Sequence, residues 1–467
     1  MFNTLVPIMT GMYVSRIFSL TAYGVFNSAN ADLSIFLIFA SFGIYNYGIR
    51  EIGRAQNNSE KKSEIFSSLF VISIISNVLV VGVFVIYVVF AVDAQFIALY
   101  LVLVINFIAN AFNIEWVNEG LENYKFITMK TVIIRSIYVI ALFIFVKDSN
   151  DVVLYTFLLS MSLLINNLVS FIFVKKNIEF SFKKVSIIKH IGPLVVMMLI
   201  ININYLYGQL DKVVISKFGS YVDVSFYHIP NYIVNTIFVL LSSIIVVSIP
   251  KLSFFSGKNE PAYENILEKT TSVYFLFAIP VFLGMASLAE NIMIIYGGVQ
   301  YGPAYPVLIG ASLYKIIASF EYIYGHQVMY IKNKHNDLMK LFLLGGIINC
   351  IGLFVLVNTN CLSPLNATIV TLIAESVVVA SLYIYSRIKL KLKVKIFSKT
   401  VLKYILICLL FIPICYIVRQ MIDSVIISSI VGIILCSTYY FIVLYLMKDQ
   451  CFLNLIEKIF DIVRRRK

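Results

Sequence analysis

Mostly apolar runs separated by short polar linkers make up this chain. About fourteen of them, each of roughly 17–25 residues, are long enough to cross a hydrocarbon core of about 30 Å as helices. They fall near 1–20, 24–48, 65–91, 96–118, 131–146 and 152–174, then near 191–210, 225–249, 270–296, 304–331, 340–358 and 364–386, and last near 404–420 and 424–446. Two strongly basic linkers punctuate the series as six, six and two. One holds Lys175, Lys176, Lys183, Lys184 and Lys189; the other runs from Arg387 to Lys403. The predicted fold class is all-α, a polytopic membrane protein of about 14 transmembrane helices. The expected parts are an N-lobe over 1–190, a C-lobe over 191–390, and a closing pair of spans with a tail over 391–467.

Charge then orients the chain. Most of the 37 Lys and Arg lie in the linkers after even-numbered spans and in the C-terminal tail. Arg16, Lys147, Lys212, Lys217 and Arg419 are the few after odd-numbered spans, and Arg135 and Lys315 lie within spans. Cytoplasmic loops retain Lys and Arg, so both termini are expected in the cytoplasm. In the tail after Lys448, Phe452, Leu455, Ile456, Ile459, Phe460 and Val463 share one helical face ahead of Arg464-Arg465-Arg466-Lys467. That pattern suits a helix lying on an anionic membrane surface, and equally an ordinary amphipathic terminator.

Composition adds exclusions. A chain of 467 residues that is 60% hydrophobic and 13% charged would expose more apolar surface in water than a soluble protein tolerates. The net charge of +13 is spread over thin loops facing inner-leaflet lipid, so nucleic acid is not an expected partner. The N-terminus shows no charged region followed by a small-residue cleavage site, so no cleaved signal peptide is expected. Cys350, Cys361, Cys408, Cys415, Cys436 and Cys451 are scattered without a Cys-x-x-Cys, which favours packing over metal or redox chemistry.

The two sixes read as copies. Residues 14–30 lie against 215–231 without a gap, matching Ser15 to Ser216, Arg16 to Lys217, Ser19 to Ser220, Phe26 to Tyr227 and Asn30 to Asn231. An even number of spans per copy gives both the same orientation. The lobes are then related by an axis along the membrane normal, with a substrate path between them.

Local strings point to one family. IYNYGIREIGR at 44–54 and NIEWVNEGLENYKFIT at 113–128 resemble segments of Wzx-type polysaccharide flippases, as do FVKD at 145–148 and Tyr155. So do LYGQLDKVVI at 206–215, IPKLS at 249–253, IPVFLGMASLAENIMIIYGG at 279–298, GGIIN at 345–349 and TLIAE at 371–375. The resemblance covers the chain to about residue 390, within the multidrug/oligosaccharidyl-lipid/polysaccharide exporter superfamily. Two departures stand out: the chain starts later than is usual, leaving a short first span, and Glu115 stands where the family usually has Asn before Trp116.

The resemblance implies a substrate made of an oligosaccharide on undecaprenyl pyrophosphate, carried across the bacterial cytoplasmic (inner) membrane without a cofactor. Membrane lipids, and a polysaccharide polymerase of the same pathway, are the other partners it suggests. Cations inside spans are costly and mark a pathway or an ion pair. Lys315, near mid-depth, shares a helical face with Ser319, Tyr322 and His326; it either lines the cavity or pairs with a carboxylate. Arg135 either reaches the path or snorkels to headgroups. Arg16 and Lys217, at matching repeat positions, form an outer gate or an anchor. Arg50, beside Glu51 at the inner mouth, serves an inner gate or only the positive-inside bias.

Asp32, Glu321 and Glu375 are carboxylates within spans, each needing a partner or a proton. Glu375 is expected as a coupling site or as the structural partner of Lys315, with Glu321 and His326 in the same coupling set. Asp211 and Lys212 are expected to bridge internally in a gating or structural role, and His228 to be a satisfied interface side chain or, as the alternative, a proton relay. Alternatives are a cation-coupled drug exporter of the same superfamily and, from another class, a membrane-embedded polymerase or glycosyltransferase. The latter needs a large catalytic loop, and the chain has neither one nor a phosphate loop or Ser/His/Asp set, so no enzyme is expected.

Overall fold

The structure is a computed structural model that describes residues 2–55, 58–394 and 396–465, with side chains outside 2–5, 184, 199–209 and 458–465. Among the described residues all regular structure is helical. The chain packs as two compact units, Met1–Ser225 and Phe226–Lys467.

The first unit opens with α1 (Phe2–Ile17) and α2 (Leu20–Ser41), the latter capped by Ser19, whose hydroxyl accepts from the Ala22 N–H at 3.2 Å. Two left-handed residues, Phe42 (φ 49°) and Gly43 (φ 71°), break the chain before α3 (Ile44–Arg54). α4 (Ser59–Ala91) runs unbroken, and α5 (Ile97–Ala111) breaks at Phe112–Ile114 before the short α6 (Glu115–Gly120). α7 (Tyr124–Phe145), α8 (Val152–Asn177) and α9 (Ile187–Phe218) follow, and α10 (Tyr221–Phe255) begins here and continues into the second unit.

α4 shows which solvent this unit is built for. Ser68, Ser73 and Asn77 are buried among neighbouring helices, while Val78, Leu79, Val83, Ile86, Val89 and Phe90 are exposed. Polar groups point in and apolar groups out, which is stable when lipid is the surroundings. The basic linker after α8 is tied down by hydroxyls of α4: the N–H groups of Ser181 and Ser186 donate to Ser67 and Ser68, each at 2.9 Å. α9, assigned by sequence to the second six, packs on α2, α3 and α4 in this unit.

The second unit holds the rest of α10, then α11 (Glu260–Ser287), α12 (Ala289–Gly297), α13 (Tyr305–Ile323), α14 (His335–Asn358) and α15 (Pro364–Ile388). α16 (Lys399–Cys408), α17 (Phe411–Met421), α18 (Val425–Leu446) and α19 (Gln450–Arg465) close the chain. Small residues let α14 lie on α15: a Cβ at Gly345 would meet Val378 at 2.4 Å, and one at Gly352 would meet Val370 at 2.4 Å. α13 runs into a π-helical turn over Tyr324–Met329, a form often found at functional sites.

Twelve described segments are long and apolar enough to cross a membrane, so the chain is a multi-pass membrane protein. Fourteen were expected. α1, with 16 residues, and α9, whose side chains at 199–209 are outside the described set, are not among the twelve. The run 404–420 is divided between α16 and α17 by a turn at Leu409-Leu410.

Candidate functional site

In the second unit the polar stripe of α13 turns inward. The Lys315 ammonium lies 4.8 Å from the Phe238 ring centre and 4.8 Å from that of Tyr314. Phe238 meets Tyr322 edge-on at 5.5 Å, and Tyr322 meets the His326 ring at 4.2 Å. Ser319 is fully buried, donates to the Lys315 carbonyl at 2.7 Å and bonds the Tyr274 hydroxyl of α11 at 2.8 Å. Glu321, from the same helix, and Glu375, from α15, act on Lys315 electrostatically, and the two carboxyls hydrogen-bond each other. The cluster thus sets one cation near two acids, Glu375 almost wholly buried, with the Phe238 and Tyr314 rings beside the ammonium.

The adjoining π-turn is anchored as well. Gln327 donates to the Ile245 carbonyl at 3.2 Å and to Ser248 at 2.6 Å, and the Tyr263 hydroxyl donates to the Gln327 carbonyl at 2.7 Å. The last of these bonds satisfies a backbone carbonyl of the π-turn, and the other two tie the Gln327 side chain to α10.

The first unit carries a second cluster. Asp32, 4% exposed, accepts from the hydroxyls of Tyr87 at 2.8 Å and Tyr100 at 2.6 Å. Lys217 lies over the Tyr87 ring at 5.3 Å, donates to the Ala91 carbonyl at 3.4 Å and acts electrostatically on Asp32. Beside it Ser28 and Ser216 share a short hydrogen bond. Arg16 is exposed at the end of α1. Arg135 acts on Tyr138 of the same helix, and Tyr138 bonds Tyr155, which packs on Phe26 at 4.8 Å and Phe18 at 5.6 Å. Asp211 is fully buried, with Lys212 acting on it electrostatically. In the second unit, His228 stacks on Tyr232 at 5.7 Å.

At the basic end of this unit Arg50 covers the Tyr47 ring at 5.2 Å and donates to Glu51 at 3.1 Å, which also takes Arg54 at 3.4 Å. The Tyr47 hydroxyl bonds Nδ1 of the buried His190 at 2.8 Å. Sequence reasoning passed over one ion pair here. Lys130, 4% exposed, donates to Glu115 at 2.9 Å, to Ser170 at 2.5 Å and to the Asn166 carbonyl at 3.2 Å. The departure at Glu115 is thereby balanced. The available signal was an acid inside one span and a lysine opening the next.

Comparison with known proteins places these features. The model of a family described as polysaccharide biosynthesis protein matches residues 1–256. A Shigella dysenteriae protein provisionally named O-antigen transporter is 23% identical over 76% of this chain and 89% of its own length. A provisionally so named Escherichia coli K12 protein is 22% identical over 82% of this chain and 93% of its own. The fold is similar to that of a solved structure of the lipid II flippase MurJ, with a TM-score of 0.70 at 16% identity, covering 96% of this chain and 98% of that one. An inward-facing multidrug resistance transporter of the MATE family in the MOP superfamily superposes with a TM-score of 0.64 at 15% identity, over 83% and 94%.

Proposed function

The chain belongs to the polysaccharide biosynthesis protein family, and from that premise we propose that it is a flippase for oligosaccharide repeat units linked to undecaprenyl pyrophosphate. It works without covalent chemistry, in the bacterial cytoplasmic membrane, with both termini in the cytoplasm. Two six-helix lobes rock to give alternating access, and the product feeds synthesis of a surface polysaccharide by a polymerase of the same pathway.

One observation carries the reading: the Lys315 cluster within a membrane-spanning helix. A lysine at a helix centre costs roughly 2.5–3.5 kcal/mol on insertion scales, so it is kept for what it binds. Pyrophosphate carries several negative charges and must shed water to cross. Lys315 meets it as a point charge, while Glu321 and Glu375 hold the ammonium until the anion replaces them. Tyr322 has a flat apolar ring with a hydroxyl at its edge, which suits a sugar ring. Lys217, Arg16, Arg135 and Arg50 are further cations along the proposed path, and Asp211 with Lys212 contributes to gating.

The test is genetic. Deleting the gene should leave the lipid-linked repeat unit on the inner leaflet, and the wild-type chain, but not Lys315→Ala, should clear it. A second reading, a cation-coupled exporter of small molecules, is favoured by the Glu321–Glu375 carboxyl pair. It would show as drug sensitivity of the deletion strain with normal surface polysaccharide.

A further inference from the structure

Two helices of the first unit are broken at similar places, and the polar residues of α4 are arranged around both breaks. Interrupting a helix frees carbonyl groups, which in a membrane protein must find other donors. The Ala40 carbonyl, before the break at Phe42-Gly43, accepts from Ser76 at 2.7 Å and from Asn77 at 3.2 Å. The Ala111 carbonyl, before the break at Phe112–Ile114, accepts from Ser73 at 3.1 Å, and the Ala109 carbonyl accepts from Asn167 of α8 at 2.7 Å. Asn110 donates its amide to the Asn77 carbonyl oxygen at 3.0 Å. Asn77 therefore touches both: its nitrogen holds the end of α2, and its oxygen holds the end of α5. It is 3% exposed and also donates to the Ser73 carbonyl at 2.8 Å.

Beyond the breaks, α3 and α6 are packed too closely to move past each other. A Cβ on Gly48 would fall 2.4 Å from the Trp116 ring, and one on Gly120 would fall 2.9 Å from Ile52. Tyr45 of α3 donates to Glu119 of α6 at 2.7 Å. Trp116, Ile44, Tyr47, Ile52 and Val117 share one buried cluster with Phe66 and Leu69 of α4.

We propose that α3 and α6 form one cap that moves as a single cooperative body about the paired breaks, and that Asn77 is the positioning residue coupling the two breaks, while Tyr47–His190 and Lys130–Glu115 tie the cap to α9 and α7. Arg50 and Arg54 lie at the far end of α3, so the cap sets where these guanidinium groups stand. Their role as an inner gate for the anion rests on the flippase reading; the mechanics of the cap do not.

Amide hydrogen exchange on the full chain in lipid nanodiscs tests the mechanics. Segments 41–47 and 111–117 should exchange at a common rate, as parts of one cooperative unit do. Ser76→Ala removes a bond at the first break only, and Ser73→Ala at the second only, yet each should speed exchange at both. Asn77→Leu should speed both by about tenfold or more, because it removes the hydrogen bonds at both breaks. Unchanged exchange in α11 and α15 verifies that the variants fold. Exchange raised only at each variant's own break, or unaltered in Asn77→Leu, overturns the cap whatever the substrate.

Transport tests the link to Arg50. Asn77→Leu should lower polysaccharide export about tenfold at normal protein level. In an Arg50→Lys background the further loss should be much smaller, since the two act as one. Independent, multiplying losses would show Asn77 to be structural only and overturn its positioning role.

Discussion

Single charges decide most of what this molecule can do, because each one inside the membrane is expensive. Lys315→Ala should abolish surface polysaccharide while the protein inserts at normal levels, and Lys315→Arg should restore part of it by keeping the charge. Full export by the Ala variant, assayed by glycan staining, would leave Lys315 a structural charge. The Lys130–Glu115 pair makes a separate prediction about stability. Its side chains are 2% and 12% exposed, so Lys130→Met alone should destabilise by about 3–5 kcal/mol, stranding a buried acid. Adding Glu115→Gln should recover most of that, as read by thermal unfolding in detergent. Equal losses in the single and double variants would mean that the pair does not hold the fold. Lys315 and Glu375 were legible in the sequence because charged residues stand out within apolar runs. Phe238 was not, being one of the chain's 37 phenylalanines, most of them in such runs. Lys130 was hidden at the edge of its run.

At the scale of elements, run length located the spans, but it could not show where a span breaks. The break after Ser41 contains no proline; it rests on the left-handed Phe42 and Gly43. A Cβ on Gly43 would also meet the α9 backbone at 2.7 Å, at the Met198 nitrogen. That requirement comes from packing and has no local sequence signature. At Leu409-Leu410 the cause is local: Pro413, one turn on, offers no N–H to the Leu409 carbonyl, and the apolar run becomes two helices. Gly48 gives the test at this scale. Gly48→Ala places a methyl 2.4 Å from the buried Trp116 ring, and overpacking of this kind costs about 1–3 kcal/mol. A lowered melting temperature is expected, with altered Trp116 fluorescence, the chain's single Trp reporting on this one contact. An unaltered spectrum and stability would mean that α3 and α6 are not in close contact.

For the whole molecule, charge distribution sets orientation, and the proposed direction of transport depends on it. In a cysteine-free background, cysteines at Asn177 and Lys393 should resist an impermeant thiol reagent in intact cells and react once the membrane is opened. Labelling of either in intact cells would reverse the topology. The most direct measurement of the transport claim is the lipid-linked glycan itself, extracted from deletion strains carrying no copy, the wild-type gene, or Lys315→Ala. The undecaprenyl-pyrophosphate repeat unit should accumulate on the inner leaflet without the gene, clear with the wild-type gene, and accumulate again with Lys315→Ala. No accumulation in the deletion strain would contradict a flippase outright.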